Sequence, residues 1–328
     1  MVTQQNTKRI LIFLALAVGI PWIAILVMYL TVRTDDLIKL GTIAGLFLGL
    51  APALANVATR LITREGWGCL WLRPNFRRGW RFYLAAWLLP LLAVIVGGGI
   101  FCLLLPQSFD SNLSEVRENF ASIPFLATNP WVGMLVTALE NMMIGLVLGV
   151  IYFGEEFGWR AYLLPRLMER FTGAEPDGAP VENPAQASRH AAGVRKAALL
   201  VGLIWGVWHW PGHFLSMKVD PTMPLLFPLV FLVSTCSLSV LLSWVTLRSG
   251  SVWPAAIGHG TLNGTAVLAR SLLKGPAMPL LGPGSSTLIG GLGFLALALV
   301  LLFSRRAFAR EQEARSERVP AVVITNPG

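Results

Sequence analysis

Ionisable and amide side chains occur in three short motifs inside long apolar stretches of this 328-residue chain. The first motif, Gly-Glu-Glu-Phe-Gly-Trp-Arg, covers residues 154–160. On a helix Arg160 lies one turn after Glu156 and can neutralise its charge. Glu155 points about 100° away from Glu156, so its carboxylate does not pair with Arg160 and can act on a substrate. Glu155 is therefore a candidate general base. The alternative interpretation is an interfacial charge cluster that caps a membrane span.

Histidines occur in the other two motifs. His209 and His213 are four residues apart, so a helix places them on one face unless the Pro-Gly pair between them distorts that turn. His259 and Asn263 have the same spacing, and an imidazole beside an amide can donate hydrogen bonds to a developing oxyanion. Each pair also has a structural interpretation, as polar contacts between helices. A base and oxyanion donors are groups that peptide hydrolysis needs.

The elements that carry these motifs are predicted to be membrane-spanning helices. Hydrophobic residues make up 55% of the chain and charged residues 13%, about half of the charged fraction of a soluble protein. This composition excludes an ordinary soluble enzyme. We predict an all-α polytopic membrane helix bundle with about eight transmembrane helices. The predicted spans are residues 10–30, 40–62, 82–105, 131–153, 198–216, 224–247, 252–272 and 285–304.

The distribution of charge predicts the domain organisation and the orientation. We expect one integral membrane domain over residues 1–304, with a motif-bearing core at about residues 130–270, and a basic cytoplasmic tail over 305–328 whose end is disordered. With eight spans, 20 of the 26 Lys and Arg residues fall on the side of the N-terminus. Since basic residues favour the inner side, both termini are predicted to be cytoplasmic, in a bacterial-type plasma membrane. This bias explains the net charge of +9 without a nucleic-acid partner.

The three motifs together carry a family resemblance. Glu-Glu-x-x-x-Arg, then an aromatic residue four positions before His209, then His-x-x-x-Asn, in that order along the chain, resembles the CAAX-protease and bacteriocin-processing (CPBP, or Abi) family of intramembrane endopeptidases. The resemblance covers about residues 130–270. Trp205 stands where that family usually has Phe, so the aromatic character is kept.

The resemblance implies a role for each motif. The first carboxylate of the Glu-Glu pair would activate water, and the histidine of the second motif would help to hold that water. The second carboxylate and the arginine would support the first, and the third motif would stabilise the oxyanion. The expected catalytic residues are Glu155, His209, His259 and Asn263, and the expected supporting residues are Glu156, Arg160, Trp205 and His213.

We expect that no cofactor is required, with zinc as the alternative. Glu155, His209 and His259 are residue types that can bind zinc and leave a position open for water. The resembled family has been interpreted both as metalloenzymes and as metal-free glutamic peptidases. The expected partners are the lipid bilayer and a peptide or protein substrate at the cytoplasmic side of the membrane. Nothing in the sequence indicates a prenylated substrate.

Two other functions use the same residues. One is a non-proteolytic family relative, such as a bacteriocin-immunity or scaffold protein, that keeps the pocket for binding. The other is a proton-coupled transporter in which Glu140, Glu155 and the histidines relay protons. Glu140 precedes Glu155 by 15 residues, about 22 Å along a helix. We therefore expect Glu140 to lie outside the site, as a buried structural acid with a polar partner.

The predicted spans place the motifs at different depths. Glu155 falls at the cytoplasmic end of its span, whereas His209 and His259 lie about 16 Å and 10 Å from that end of theirs. These side chains can meet if the helix that carries Glu155 continues obliquely beyond it. We therefore predict that this helix runs on towards Arg170, and that a polar cavity open to the cytoplasmic side reaches towards the bilayer middle.

Overall fold

The computed structural model describes residues 2–173 and 184–309, and within these ranges the chain is helical and has no β-strand. The α-helices are α1 (Val2–Leu14), α2 (Ile20–Thr31), α3 (Thr34–Thr63), α4 (Phe76–Leu104), α5 (Ser114–Asn119), α6 (Pro124–Thr128), α7 (Pro130–Gly158), α8 (Leu164–Thr172), α9 (Pro184–Trp208), α10 (Trp210–Val219), α11 (Phe227–Ser249), α12 (Trp253–Thr265) and α13 (Leu292–Phe303). Most of the predicted tail, from residue 310, lies outside the described residues.

Five helical segments within the described ranges are long and apolar enough to cross a membrane. They are Gln4–Thr31, Phe76–Leu104, Pro130–Thr172, Ala185–Val219 and Phe227–Ser249, and shorter apolar helices occupy Leu48–Thr63 and Leu292–Phe303. The predicted span at 252–272 is instead the 13-residue helix α12 followed by a 3₁₀ segment, Ala266–Leu272. The prediction of an all-helical polytopic bundle is confirmed, although three of the eight predicted spans correspond to shorter helices.

The helix that carries the Glu-Glu pair continues well beyond it. After α7 a π-helical turn, Trp159–Leu163, leads directly into α8, and the whole segment Pro130–Thr172 has 43 residues. A π turn is frequently found at a functional site in a helix. Glu155 therefore lies inside a continuous helical segment rather than at its end. The predicted continuation towards Arg170 is confirmed, and it removes the mismatch in depth.

The second motif lies at a break between two helices. Proline has no backbone N–H to donate, and its ring clashes with the carbonyl group four residues earlier. Pro211 therefore interrupts the helix. Helix α9 ends at Trp208, α10 begins at Trp210, and His209 forms the turn between them. The His213 N–H still donates to the His209 carbonyl oxygen at 3.1 Å. The spacing of one turn between the two histidines is therefore kept.

Glycines allow α7 and α12 to pack backbone against backbone, in the most extensive contact between any two described helices. A Cβ atom at Gly260 would lie 2.3 Å from the Gly145 carbonyl oxygen and 2.4 Å from the Gly149 amide nitrogen. At Gly264 it would lie 2.6 Å from a carbonyl oxygen of α7. Small residues permit such close approach of helices in lipid. This contact brings the third motif, on α12, against the helix that carries the first.

A buried carboxylate joins several helices at one end of the bundle. The side chain of Glu65, 1% exposed, forms ion pairs with Arg9 at 3.1 Å and with Arg166 at 2.5 Å. It also accepts a hydrogen bond of 2.7 Å from the Tyr162 hydroxyl. Basic residues of α1 and α8 therefore meet beyond the end of α3, on the side where the sequence predicts the cytoplasmic charges.

Replacing Gly260 with Ala is expected to lower the unfolding temperature, because the new methyl group would overlap the backbone of α7. Overpacking of this kind costs about 1–3 kcal/mol. The measurement is thermal unfolding of the purified protein in detergent. Gly99→Ala in α4 is the matched control, since nothing lies within 4 Å of a Cβ atom there. Equal unfolding temperatures for the two variants would contradict the proposed close packing.

Candidate active site

The second carboxylate of the first motif, Glu156, lies in a fully buried ion cluster. Arg160 Nη1 donates a hydrogen bond of 3.1 Å to Glu156 Oε1 and lies 3.0 Å from Oε2, and both side chains are 0% exposed. His259 Nδ1 lies 2.9 Å from Glu156 Oε1. Because a carboxylate accepts hydrogen bonds, Nδ1 is the protonated nitrogen of His259 in this contact. The Glu156 carboxylate therefore links α7 to α12.

The first carboxylate, Glu155, is 6% exposed and lies at the wall of a cavity. Its Oε2 atom accepts a hydrogen bond of 2.7 Å from the indole Nε1 of Trp205. Its Oε1 atom lies on the side of Gly49, where an added Cβ atom would be 3.8 Å away. One carboxylate oxygen is thus held by the protein, and Oε1 is the oxygen available to a bound water or substrate.

Trp205 lies at the centre of the site and is 2% exposed. Its ring centroid is 4.6 Å from Arg160 Cζ and 5.1 Å from the centroid of the His259 ring. The His209 ring, one turn later on the chain, is 5.7 Å away. A phenylalanine at this position would keep these ring contacts but has no N–H to donate to Glu155. The departure from the usual family residue therefore adds a hydrogen bond to the candidate base.

The tautomer of His209 follows from its backbone contact. Its Nδ1 atom is 2.8 Å from the carbonyl oxygen of Trp205. A carbonyl oxygen can accept but not donate, so Nδ1 carries the proton and the neutral ring presents Nε2 as an acceptor. His209 lines the same cavity as Glu155. It can therefore accept a hydrogen bond from a water in that cavity.

Tyr152 lies against the histidine of the third motif. Its ring is stacked on the His259 ring, with centroids 4.3 Å apart and an interplanar angle of 20°. Tyr152 and Asn263 line the same cavity. Tyr152 is not among the site residues expected from the sequence. The signal available was its spacing, since it precedes Glu155 by three residues and so shares a helix face with it.

These side chains surround one cavity of about 560 Å³, within the size range of small-ligand sites. Helices α7, α9 and α12, with the turn at His209, contribute its ionisable, aromatic and amide side chains, which are Tyr152, Glu155, Trp205, His209, His259 and Asn263. Much of the remaining wall is apolar, with Ile25, Leu48, Phe231 and Phe294 among its residues. The structure thus brings the four expected catalytic residues together from segments that are far apart in the sequence.

Two residues considered from the sequence lie elsewhere. His213 packs against the rings of Phe227 and Phe231, at 5.0 Å and 4.5 Å, and is not among the described residues that line the cavity. Glu140 is exposed on α7 beside Leu139 and Met143. The expectation that Glu140 is a buried structural acid is wrong, because α7 packs on α12 through its glycine face and leaves this face uncovered.

The side chains considered as zinc ligands are each held at one atom by a neighbouring residue. Among the described residues, no three His, Cys, Asp or Glu side chains converge so that they could hold a metal ion. Glu155 Oε2 and His209 Nδ1 are both engaged by Trp205, and His259 Nδ1 is engaged by Glu156. These contacts leave Glu155 Oε1 and the Nε2 atoms of both histidines as the atoms that could reach a ligand.

Glu156→Gln is expected to lower the unfolding temperature strongly, because Arg160 and His259 would lose their buried anionic partner. Removing one partner of a buried ion pair costs about 3–5 kcal/mol. Thermal unfolding in detergent measures the loss. The matched control is Glu115→Gln, which removes the exposed pair with Arg270 at 3.8 Å and should cost less than about 1 kcal/mol. Similar losses in both variants would show that the buried cluster does not anchor the fold.

Comparison with known proteins gives two matches to the region that holds the motifs. Residues 137–265 match the family model described as Type II CAAX prenyl endopeptidase Rce1-like. CAAX prenyl protease 2 of Methanococcus maripaludis is 23% identical over 158 residues, which are 47% of this chain and 47% of that relative. The chain therefore spans about half the length of the curated relative that it matches. All three motifs lie within the region matched by the family model, and both matches support the resemblance of this region to the CAAX-protease and bacteriocin-processing (CPBP) family.

Proposed function

We propose that the protein is an intramembrane endopeptidase that hydrolyses a peptide bond with a water activated by Glu155. The observation that carries this proposal is the convergence of Glu155, His209, His259 and Asn263 on one cavity inside an apolar helix bundle. The match to a prenyl endopeptidase family model supports the same class of reaction.

The first step is activation of water between two acceptors. Glu155 Oε1 and His209 Nε2 are the atoms that Trp205 leaves unoccupied on these two side chains. A water that donates one hydrogen bond to each of them directs an oxygen lone pair at the substrate carbonyl carbon. As the new C–O bond forms, Glu155 takes the proton from the water, and it then passes that proton to the leaving amine.

The second requirement is stabilisation of the tetrahedral oxyanion. His259 donates from Nδ1 to Glu156, so Nε2 is the nitrogen that can reach the oxyanion. The Nε2 atom carries a proton, and so can donate it in a hydrogen bond, when the ring is cationic. Asn263, one turn later on α12, supplies an amide N–H beside it. The developing negative charge is thus met by donors that the fold already holds in place.

We propose that the substrate is a peptide or protein segment that enters from the cytoplasmic side, where the sequence predicts the termini and most of the basic residues. The cluster of Glu65 with Arg9 and Arg166 supports this orientation, because it gathers basic residues at one end of the bundle. The relative in Methanococcus maripaludis is named as a prenyl protease. A farnesylated peptide with a C-terminal CAAX sequence is therefore the first substrate to test, beside its unprenylated counterpart.

Glu155→Gln and His209→Ala are each expected to lower peptide cleavage by about 100-fold or more, because they remove the base and the second acceptor for water. Cleavage is measured in proteoliposomes with the two CAAX peptides and a fluorogenic peptide library. Glu140→Gln is the matched control on the same helix, since Glu140 is exposed and remote from the cavity, and it should keep the wild-type rate.

Two results would contradict the peptidase proposal. One is an undiminished cleavage rate in Glu155→Gln. The other is a wild-type protein that binds peptides from these sets but cleaves none of them, which would favour a non-proteolytic binding protein. Proton-coupled flux of a solute into the same proteoliposomes, lost in Glu155→Gln, would favour a transporter.

We further propose that catalysis needs no resident metal ion. Cleavage is then expected to persist after treatment with 1,10-phenanthroline and EDTA, because the side chains themselves hold the water. Elemental analysis of the purified protein measures bound zinc, and zinc-saturated EDTA serves as the control for effects of the chelator on the membrane. Loss of cleavage that is restored by added Zn²⁺ would overturn this part of the proposal.

A further inference from the structure

A second cavity lies at the end of the bundle where the sequence predicts the cytoplasmic side. Its volume is about 620 Å³, within the size range of small-ligand sites. Its walls come from the first turn of α4, the last turn of α11, helices α8 and α9, and the segment that follows α13. No described residue lines both this cavity and the candidate active site. The two cavities are therefore separate sites.

The wall of this cavity carries positive charge. Arg77 and Arg78 of α4 and Arg248 of α11 line it, and its described lining residues include no Asp or Glu. Arg248 is half-buried, with its Cζ atom 5.8 Å from the centroid of the Phe82 ring and a hydrogen bond of 3.4 Å from Nη1 to the Ala309 carbonyl oxygen. These contacts hold the guanidinium group at the cavity and engage one of its several N–H donors. Guanidinium groups bind phosphate through paired hydrogen bonds, so the cavity suits a phosphate-bearing ligand.

The same cavity also has an apolar side. Met168, Val194 and Phe308 line it and are buried, and Leu247 lies beside them. Phe76 also lines it and is 63% exposed. A free inorganic anion gains nothing from such side chains, whereas a hydrocarbon chain is stabilised when it is buried against them. The ligand that fits both sides is an amphiphile with an anionic head and a hydrocarbon chain.

The position of the cavity in the bundle selects the class of amphiphile. Helices α4 and α11 are long and apolar enough to cross a membrane, and the arginines lie at the ends of these two helices, at the depth of the lipid headgroups. Met168 follows Arg166 of the Glu65 cluster by two residues, so the cavity is on the predicted cytoplasmic side. The cytoplasmic leaflet contains anionic phospholipids, and basic pockets between helices on that side can bind their headgroups.

We propose that this cavity binds an anionic phospholipid. Arg77 and Arg248 hold the phosphate, Arg78 adds positive charge, and an acyl chain packs against Phe76 and Leu247. The convergence of three guanidinium groups and an apolar wall on one cavity at headgroup depth carries the proposal. A lipid bound there joins α4 to α11 and stabilises the bundle. The proposal does not depend on the peptidase function.

The first test compares ligands by thermal unfolding of the delipidated protein in detergent. A ligand that binds the folded state raises the unfolding temperature. We expect dioleoyl phosphatidylglycerol to raise it in a saturable way, and dioleoyl phosphatidylcholine, whose headgroup has no net charge, to raise it much less. Inorganic phosphate at the same concentrations should have no effect. An equal rise with phosphatidylcholine, or with inorganic phosphate, would overturn the assignment of an anionic lipid.

The second test locates the lipid. Arg77→Gln and Arg248→Gln are each expected to raise the phosphatidylglycerol concentration at half of the full effect by about tenfold, because each removes a charged donor to the phosphate. Arg73→Gln is the matched control, since Arg73 is an exposed arginine of the same segment that is not among the lining residues. It should leave that concentration unchanged. Each variant is compared with its own unfolding temperature without lipid, so a less stable fold does not imitate weaker binding.

Native mass spectrometry of the same proteins gives a second readout, because it counts the lipids that remain bound. Wild type and Arg73→Gln should retain phosphatidylglycerol, and the two cavity variants should lose it. Unchanged binding in both cavity variants overturns the proposal. An equal loss in Arg73→Gln also overturns it, since the lipid would then respond to the total charge of this surface. Cleavage does not enter either measurement, so a failure of the peptidase proposal is distinguishable from a failure of this one.

Discussion

The buried ion cluster of Glu156, Arg160 and His259 is the interaction on which the site depends. Removing a charge from water costs several kcal/mol unless a well-placed partner compensates for it. Glu156 and Arg160 are both fully buried, so neither is stable there without the other. The hydrogen bond from His259 extends this requirement to α12. Satisfying one carboxylate therefore fixes how α7 and α12 lie against each other, and with them the residues that face the cavity.

The ion cluster can form because glycines let the two helices approach. A separation of 2.9 Å between Glu156 and the His259 ring leaves little tolerance in the distance between the backbones. Gly145, Gly149 and Gly260 have no side chains at the contact, so the backbones of α7 and α12 meet directly. Larger residues there would hold the helices apart. The glycines thus permit the close approach of α7 and α12, and the ion cluster stabilises it.

The contacts within one helix could be predicted from the sequence, whereas the contacts between helices could not. Apolar runs predict the helices, and the spacing of four residues predicts the contact of Arg160 with Glu156, because both follow from the geometry of one helix. The contact of His259 with Glu156 joins residues 103 positions apart, which no helical period encodes. The position of Glu140 was predicted wrongly for the same reason. Whether a residue on a helix is buried depends on which faces its neighbours cover.

The balance of charge links the ion cluster to the chemistry. When the His259 ring is cationic, Glu155 and Glu156 are matched by Arg160 and His259, so the four groups sum to zero inside an apolar bundle. Trp205 contacts an acidic and a basic member of this set, since its N–H donates to Glu155 and its ring lies against Arg160. A neutral set can be buried at far lower cost than an isolated carboxylate. With the His259 ring charged, the bundle can therefore hold two carboxylates beside one cavity at a lower cost than either would have alone.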